Sequence, residues 1–255
     1  MVGAFLLSMG KRHPRLLSYF DVLEACAEPG CPLCRLSERK VNRYLDGIMY
    51  EYVNDPGTRG QLRRSLGYCN EHAWRLPETG GGPALGIAII YRDLAGQALS
   101  RLENPRYAAP RRFSLRRLVE VLDRDRPTAA TESVLRRLQA EEQCPACAHR
   151  DTMEDIALIA VLEALARGDE RMQTALNASS GLCLPHLRRA LELVRDEVAF
   201  ECLAKIAQEK LAALNDELGE LLRKSDYRFN KGDFGPERDS WRRAIAWVAG
   251  SRGVR

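Results

Sequence analysis

Eight residues of this 255-residue chain have the types and the spacing to hold metal ions. Cys31-Pro32-Leu33-Cys34 precedes Cys69-Asn70-Glu71-His72, and Cys144-Pro145-Ala146-Cys147 precedes Cys183-Leu184-Pro185-His186. Each time a CPxC is followed by a CxxH, across gaps of 34 and 35 residues. Three thiols and an imidazole form the donor set of a tetrahedral Cys3His site, in which soft sulfur suits zinc and a neutral imidazole is the fourth ligand. Two zinc ions are therefore expected, one per copy. Cys31, Cys34, Cys69 and His72 would hold the first, and Cys144, Cys147, Cys183 and His186 the second. A crossed pairing, CPxC of one copy with CxxH of the other, fits the same spacing. An iron–sulfur cluster is the alternative cofactor, because histidine can replace thiolate on iron.

Four filled ligand positions leave no vacancy for water or substrate, the mark of a structural rather than a catalytic zinc. No catalytic residue is assigned, and an enzyme is not the expected reading. Glu71 tempts as a base beside a metal, yet Pro185 stands at its place in the second copy. A dithiol redox enzyme would want a βαβ context around CPxC, and none is visible. Cys26 and Cys202 read as core thiols, because free cysteine buries readily. His13 and His149 read as surface or packed residues.

The elements that position these ligands are helical. Proline at the second position of CPxC suits the first turn of a helix, where its missing N–H costs little. Amides at such a terminus also stabilise thiolates. Tyr44, Leu45, Ile48, Met49, Tyr52 and Val53 form the stripe of an amphipathic helix. Ala157, Leu158, Val161, Leu162, Leu165 and Ala166 repeat it with a wider apolar arc. An outgoing helix of about 20 residues, roughly 30 Å long, with a shorter return would fill each gap. Helix-favouring runs follow at Pro83 to Glu103 and Leu191 to Leu222. Glycine lies two residues before the third cysteine of each copy, as Gly67 and Gly181, and Ser65 and Ser179 lie two further back.

The fold expected is all-α: two pseudo-repeated helical halves, 16–104 and 131–222, each stapled by a Cys3His metal site, plus a C-terminal helix within 223–255. A Pro/Arg-rich connector, 105–130, joins the halves. From Arg101 to Arg126, a stretch that begins just before the connector, the chain carries eight arginines against four acids, an excess equal to the net charge of +4 for the whole chain. Arg111, Arg112, Arg116 and Arg117 are the candidate polyanion contact, since clustered arginines bind phosphates and Phe113 between them could stack on a base. The modest net charge does not demand nucleic acid, so an RNA- or ribosome-associated role stays behind a protein partner.

With 45% hydrophobic and 29% charged residues, the composition is that of a globular chain and argues against wholesale disorder. No apolar run approaches the roughly 20 residues needed to cross a bilayer. The opening Met1 to Leu7 is too short for a secretory apolar region and lacks a basic start, so no signal peptide and a cytoplasmic location are expected. In a reducing compartment the cysteines are ligands rather than disulfides.

The succession CPLC, helix, GYCNEH, then CPAC, GLCLPH and a closing SDYRF before a Trp-Arg-Arg-Ala-Ile helix resembles an uncharacterised bacterial family known only as a domain of unknown function. The likeness runs from about Ser18 to Gly250. It implies the same two-copy helical architecture and the same eight candidate ligands, and it supplies no activity. The resulting expectation is a cytoplasmic zinc protein acting as a binding or adaptor module, with a thiol-redox or iron–sulfur sensor as the alternative.

Overall fold

The computed structural model describes residues 17–78, 84–103, 129–226 and 233–252. Every regular element among them is helical. The elements are α1 (17–26), α2 (Pro32–Gly47), α3 (Pro56–Arg64), α4 (Asn70–Arg75), α5 (Ala84–Leu102) and α6 (Ala129–Arg137). They continue as α7 (Pro145–Ala166), α8 (Glu170–Ala178), α9 (Leu184–Leu193), α10 (Glu197–Ser225) and α11 (Ser240–Ala249). The all-α fold class read from the periodicity is the one observed. Among the described residues no helix is long and apolar enough to cross a membrane.

Both prolines of the CPxC motifs open their helices, as the missing N–H allows. The outgoing helices are of matched length. α2 runs 16 residues and continues as a five-residue π-helical segment, Ile48–Tyr52, while α7 runs 22. Each is followed by a nine-residue helix started by an aspartate. Asp55 accepts from the Thr58 N–H at 2.7 Å and Asp169 from the Met172 N–H at 2.9 Å, satisfying amides the helix cannot bond itself. The chain then turns at Gly67 (φ +94°) and Gly181 (φ +74°), a region that disfavours any Cβ. A Cβ there would also lie 3.0 Å from Leu94 Cδ1 or 3.2 Å from Lys210 Cγ, so both turns require glycine.

The helix-favouring run from Leu191 to Leu222 is not one helix. α9 stops at Leu193, and α10 starts afresh with Asp196 as its cap, the side chain accepting from the Ala199 N–H at 3.0 Å. An N-capping aspartate inside a helical pattern favours such a restart, because its carboxylate competes for the backbone amides.

The chain divides into two compact units, one continuous, Arg43–Ala148, and one made of Met1–Asn42 with His149–Arg255. In the discontinuous unit the core gathers Val22, Leu33 and Leu36 with Leu158, Val161, Leu165, Met172, Leu176 and Leu203. α11 packs on α9 and α10 there. Glu237, only 4% exposed, anchors the approach to α11 by accepting from Lys224 Nζ at 2.7 Å and from the Gly235 N–H at 2.8 Å. In the continuous unit α5 packs on α3 and α6. Leu45, Leu62, Leu76 and Ile90 are buried, and Asp93 ties Arg59 and Arg63 of α3 to α5.

Candidate metal centres

All four ligand motifs use one local device. Cys31, Cys69, Cys144 and Cys183 each sit just before a helix, with the carbonyl accepting the first helical N–H, from Arg35, Ala73, Ala148 and Leu187. The second ligand of each motif then lies three residues on, within the first turn, so the pair converges at a helix N-terminus. That end carries unpaired N–H groups and partial positive charge, which favours thiolate.

The eight residues gather into two quartets, and in each all four ligand atoms lie within 4.8 Å of one another. Site I is Cys31, Cys34, Cys183 and His186, within the discontinuous unit. Site II is Cys69, His72, Cys144 and Cys147, within the continuous unit. The expectation that each half is stapled by its own four ligands is therefore corrected: the pairs are exchanged between the halves. Helix length supplies the reason. At 1.5 Å per residue the outgoing helices span about 30 Å and the nine-residue return helices about 14 Å, so a CxxH does not come back to its own CPxC. In chain order the sites are nested, with the first and fourth ligand pairs forming site I and the second and third forming site II.

Four-coordinate zinc, with bonds of about 2.3 Å to sulfur and about 2.0 Å to nitrogen, requires edges of about 3.8 Å between sulfurs and about 3.5 Å from sulfur to nitrogen. In site I, Cys34 and Cys183 are 3.7 Å apart, and His186 Nδ1 lies 3.5, 3.5 and 3.1 Å from Cys31, Cys34 and Cys183. In site II, Cys69 and Cys147 are 3.7 Å apart, with His72 Nδ1 at 3.2, 3.6 and 3.4 Å from Cys69, Cys144 and Cys147. Both quartets could hold one metal ion each.

The electrostatics of site I call for a cation. Burial pushes the Cys31 thiol well up, whereas contacts from Cys183 and Cys31 hold Cys34 far below the ordinary thiol range. Burial opposes a charged His186, yet Cys183, Cys34 and Glu154 push it up to about 11. The sulfurs and Glu154 thus favour positive charge at this ring, which a bound divalent ion would supply. In site II burial raises Cys144 and Cys147, and three tyrosines lie near the sulfurs. Tyr44, Tyr68 and Tyr91 are all raised by burial first, with Cys144 contributing to each.

Two supports of site I went unnoticed in the sequence. Glu154 of α7, 5% exposed, places Oε1 3.1 Å from His186 Nε2, off the line of the ring N–H bond. Ser37 donates to the same oxygen at 2.7 Å and fixes it. A carboxylate behind a ligating histidine orients the ring and raises its basicity. One signal was available: Glu154 falls in step with Ala157, Leu158, Val161, Leu162 and Leu165, an acid inside an apolar stripe. The second support is the end of α11. The Ser251 N–H donates to Cys34 Sγ at 3.4 Å, and a Cβ on Gly250 would lie 3.7 Å from Cys34 Sγ and 3.9 Å from Cys183 Sγ.

The other candidates fall outside both quartets. Cys26 is a core thiol pushed up to about 11 by burial, Cys202 lies on α10, and His149 is half-buried and lowered by burial and Lys40. Glu71 pairs with Arg75 at 3.4 Å. His13 and the candidate polyanion contacts Arg111, Arg112, Arg116 and Arg117 lie outside the described residues.

The model of a family described as "Family of unknown function (DUF6062)" matches residues 17–254. A similar chain is the "Uncharacterized 23.9 kDa protein in xynA 3'region" of Caldicellulosiruptor sp. (strain Rt8B.4), 26% identical over 232 residues, 91% of this chain and 100% of that protein. No solved structure matches.

Proposed function

The chain belongs to that family of unknown function, and on this premise we propose that it is a cytoplasmic protein with two structural zinc ions that acts as a binding or adaptor module. The observation carrying this reading is the fit of both quartets to the edges of a tetrahedral, four-coordinate ion. A cubane cluster would place several metal–sulfide bonds between its thiolates and spread them beyond the observed spacing, so a mononuclear ion is favoured. With every position filled by protein, the ion's contribution is folding free energy rather than an open coordination site.

The two halves, 16–104 and 131–222, are read as a duplication, joined by the connector 105–130 and followed by the tail 223–255. Matched features beyond the ligands support this: the caps Asp55 and Asp169, the turns at Gly67 and Gly181, and the buried Leu62 and Leu176. A protein partner is supported by α11, whose Trp241, Ile245 and Val248 are 47%, 58% and 57% exposed at one-turn intervals.

Elemental analysis with an absorption spectrum on protein purified without oxygen tests the reading. Two zinc equivalents per chain and no visible band are expected. A brown preparation carrying iron and acid-labile sulfide overturns it in favour of an iron–sulfur protein.

A further inference from the structure

Each site brings a sulfur of one copy against a sulfur of the other, and the pairs are equivalent in the two copies. Cys34 and Cys183 of site I are 3.7 Å apart, as are Cys69 and Cys147 of site II. Their access differs. Cys34 and Cys183 are 1% and 2% exposed, beneath Gly250 and Ser251. Cys69 and Cys147 are half-buried, although the remaining site II ligands, His72 and Cys144, are buried. Solvent thus approaches site II on the side of Cys69 and Cys147, whose sulfurs are in contact with each other.

Resting on the zinc reading, we propose that site II is a modification site for hydroperoxides, at which Cys69 and Cys147 are oxidised to a disulfide and the ion is expelled while site I keeps its own. One thiolate attacks the peroxide, the O–O bond breaks, and a sulfenic acid forms as the departing hydroxide takes a proton to become water. The second thiolate attacks that sulfur. The S–S bond forms, the S–O bond breaks, and the hydroxide released is protonated to a second water. Two thiolates, one hydrogen peroxide and two protons thereby give one disulfide and two waters, with two electrons passing from sulfur to oxygen. Cys144 and His72 remain, and two ligands are too few to retain zinc against competing thiols and buffer. All six cysteines are thiolates when they ligate an ion, so access decides where a peroxide reacts, and access assigns the step to site II.

The experiment uses the zinc-loaded full chain, hydrogen peroxide as the probe and a chromogenic zinc chelator, with peptide mapping of the product. Zinc content is measured first, so a shortfall from two equivalents bears on the zinc reading alone; the map still decides the oxidation. One equivalent is expected to leave about tenfold faster than the other. A Cys69–Cys147 disulfide should accompany it, and reductant with added zinc should reverse both. Cys202→Ser should behave as the parent, separating the effect from the half-buried thiol on α10. Release of both ions at one rate, a Cys34–Cys183 disulfide formed first, or thiols of site II intact after exposure would overturn the proposal.

Discussion

Sites I and II share ligand types, ligand spacing and sulfur–nitrogen geometry, yet their surroundings diverge. Site I is threaded into the apolar core, with Cys31, Cys34 and Cys183 packed among Leu33, Leu36 and Leu182, and it has Glu154 behind its histidine. At the position of Glu154 in the first copy stands Val41, 113 residues earlier and also buried. Site II instead has tyrosines beside its sulfurs and two half-buried thiols. The quartet sets the donor atoms and the geometry that a metal ion would meet. The residues around it set how firmly such an ion would be held and what else reaches it.

Removing all four site I ligands at once, as Cys31→Ser, Cys34→Ser, Cys183→Ser and His186→Ala, is the severest test of the contrast. Structural zinc contributes about 10–16 kcal/mol of apparent binding free energy in small zinc-dependent folds, so the discontinuous unit should lose its structure. One zinc equivalent should nevertheless remain, held by site II. Ligands paired within each half would leave none, which elemental analysis distinguishes directly.

Glu154→Gln comes next in size. It keeps the shape and removes the charge behind His186, and such changes typically weaken metal affinity about 10- to 100-fold. Titration with a competing chelator should register that loss for one ion and none for the other. Equal weakening of both would mean that the carboxylate supports the whole fold rather than site I. Ser251→Pro is milder: it deletes a single N–H donor to Cys34, on the order of 1 kcal/mol, and should speed release of the site I ion several-fold.

Glu237→Gln is expected to have the smallest effect, and it carries a pH signature. Lys224, with the Gly235 amide, pulls the Glu237 carboxyl down to about 2 from an ordinary 4.5. A carboxyl depressed in the folded state stabilises it above the unfolded value, and the benefit disappears as pH falls through the folded one. The difference in thermal midpoint between parent and variant should therefore hold steady from pH 8 to about 5 and shrink below that. A difference that grows on acidification would contradict the assigned partner.

Much of this was legible because it is local. CPxC and CxxH are helix-start geometries, and the apolar stripes at Tyr44 and Ala157 have a helix period, so the ligand types, the helical class and the long outgoing helices could be read directly. The pairing could not, because it depends on where helices of about 30 and 14 Å deliver their ends, a property of the folded chain. Glu154 was hidden by its own charge, since an acid on a helix ordinarily reads as solvent-facing. Ser251 acts on Cys34 through its backbone N–H, which no side-chain identity encodes.

The nested order of the ligand pairs also sets a timetable. His72 and Cys144 are 72 residues apart, whereas Cys34 and Cys183 are 149 apart, and each doubling of a closed loop costs about 0.6 kcal/mol. The inner loop is therefore the easier to close, and it is also the first to exist. A chain still on the ribosome, exposed only as far as Ala148, already presents every ligand of site II, while Cys31 and Cys34 wait for partners not yet exposed. During that interval two site I thiols are without their quartet, although both are buried in the finished protein.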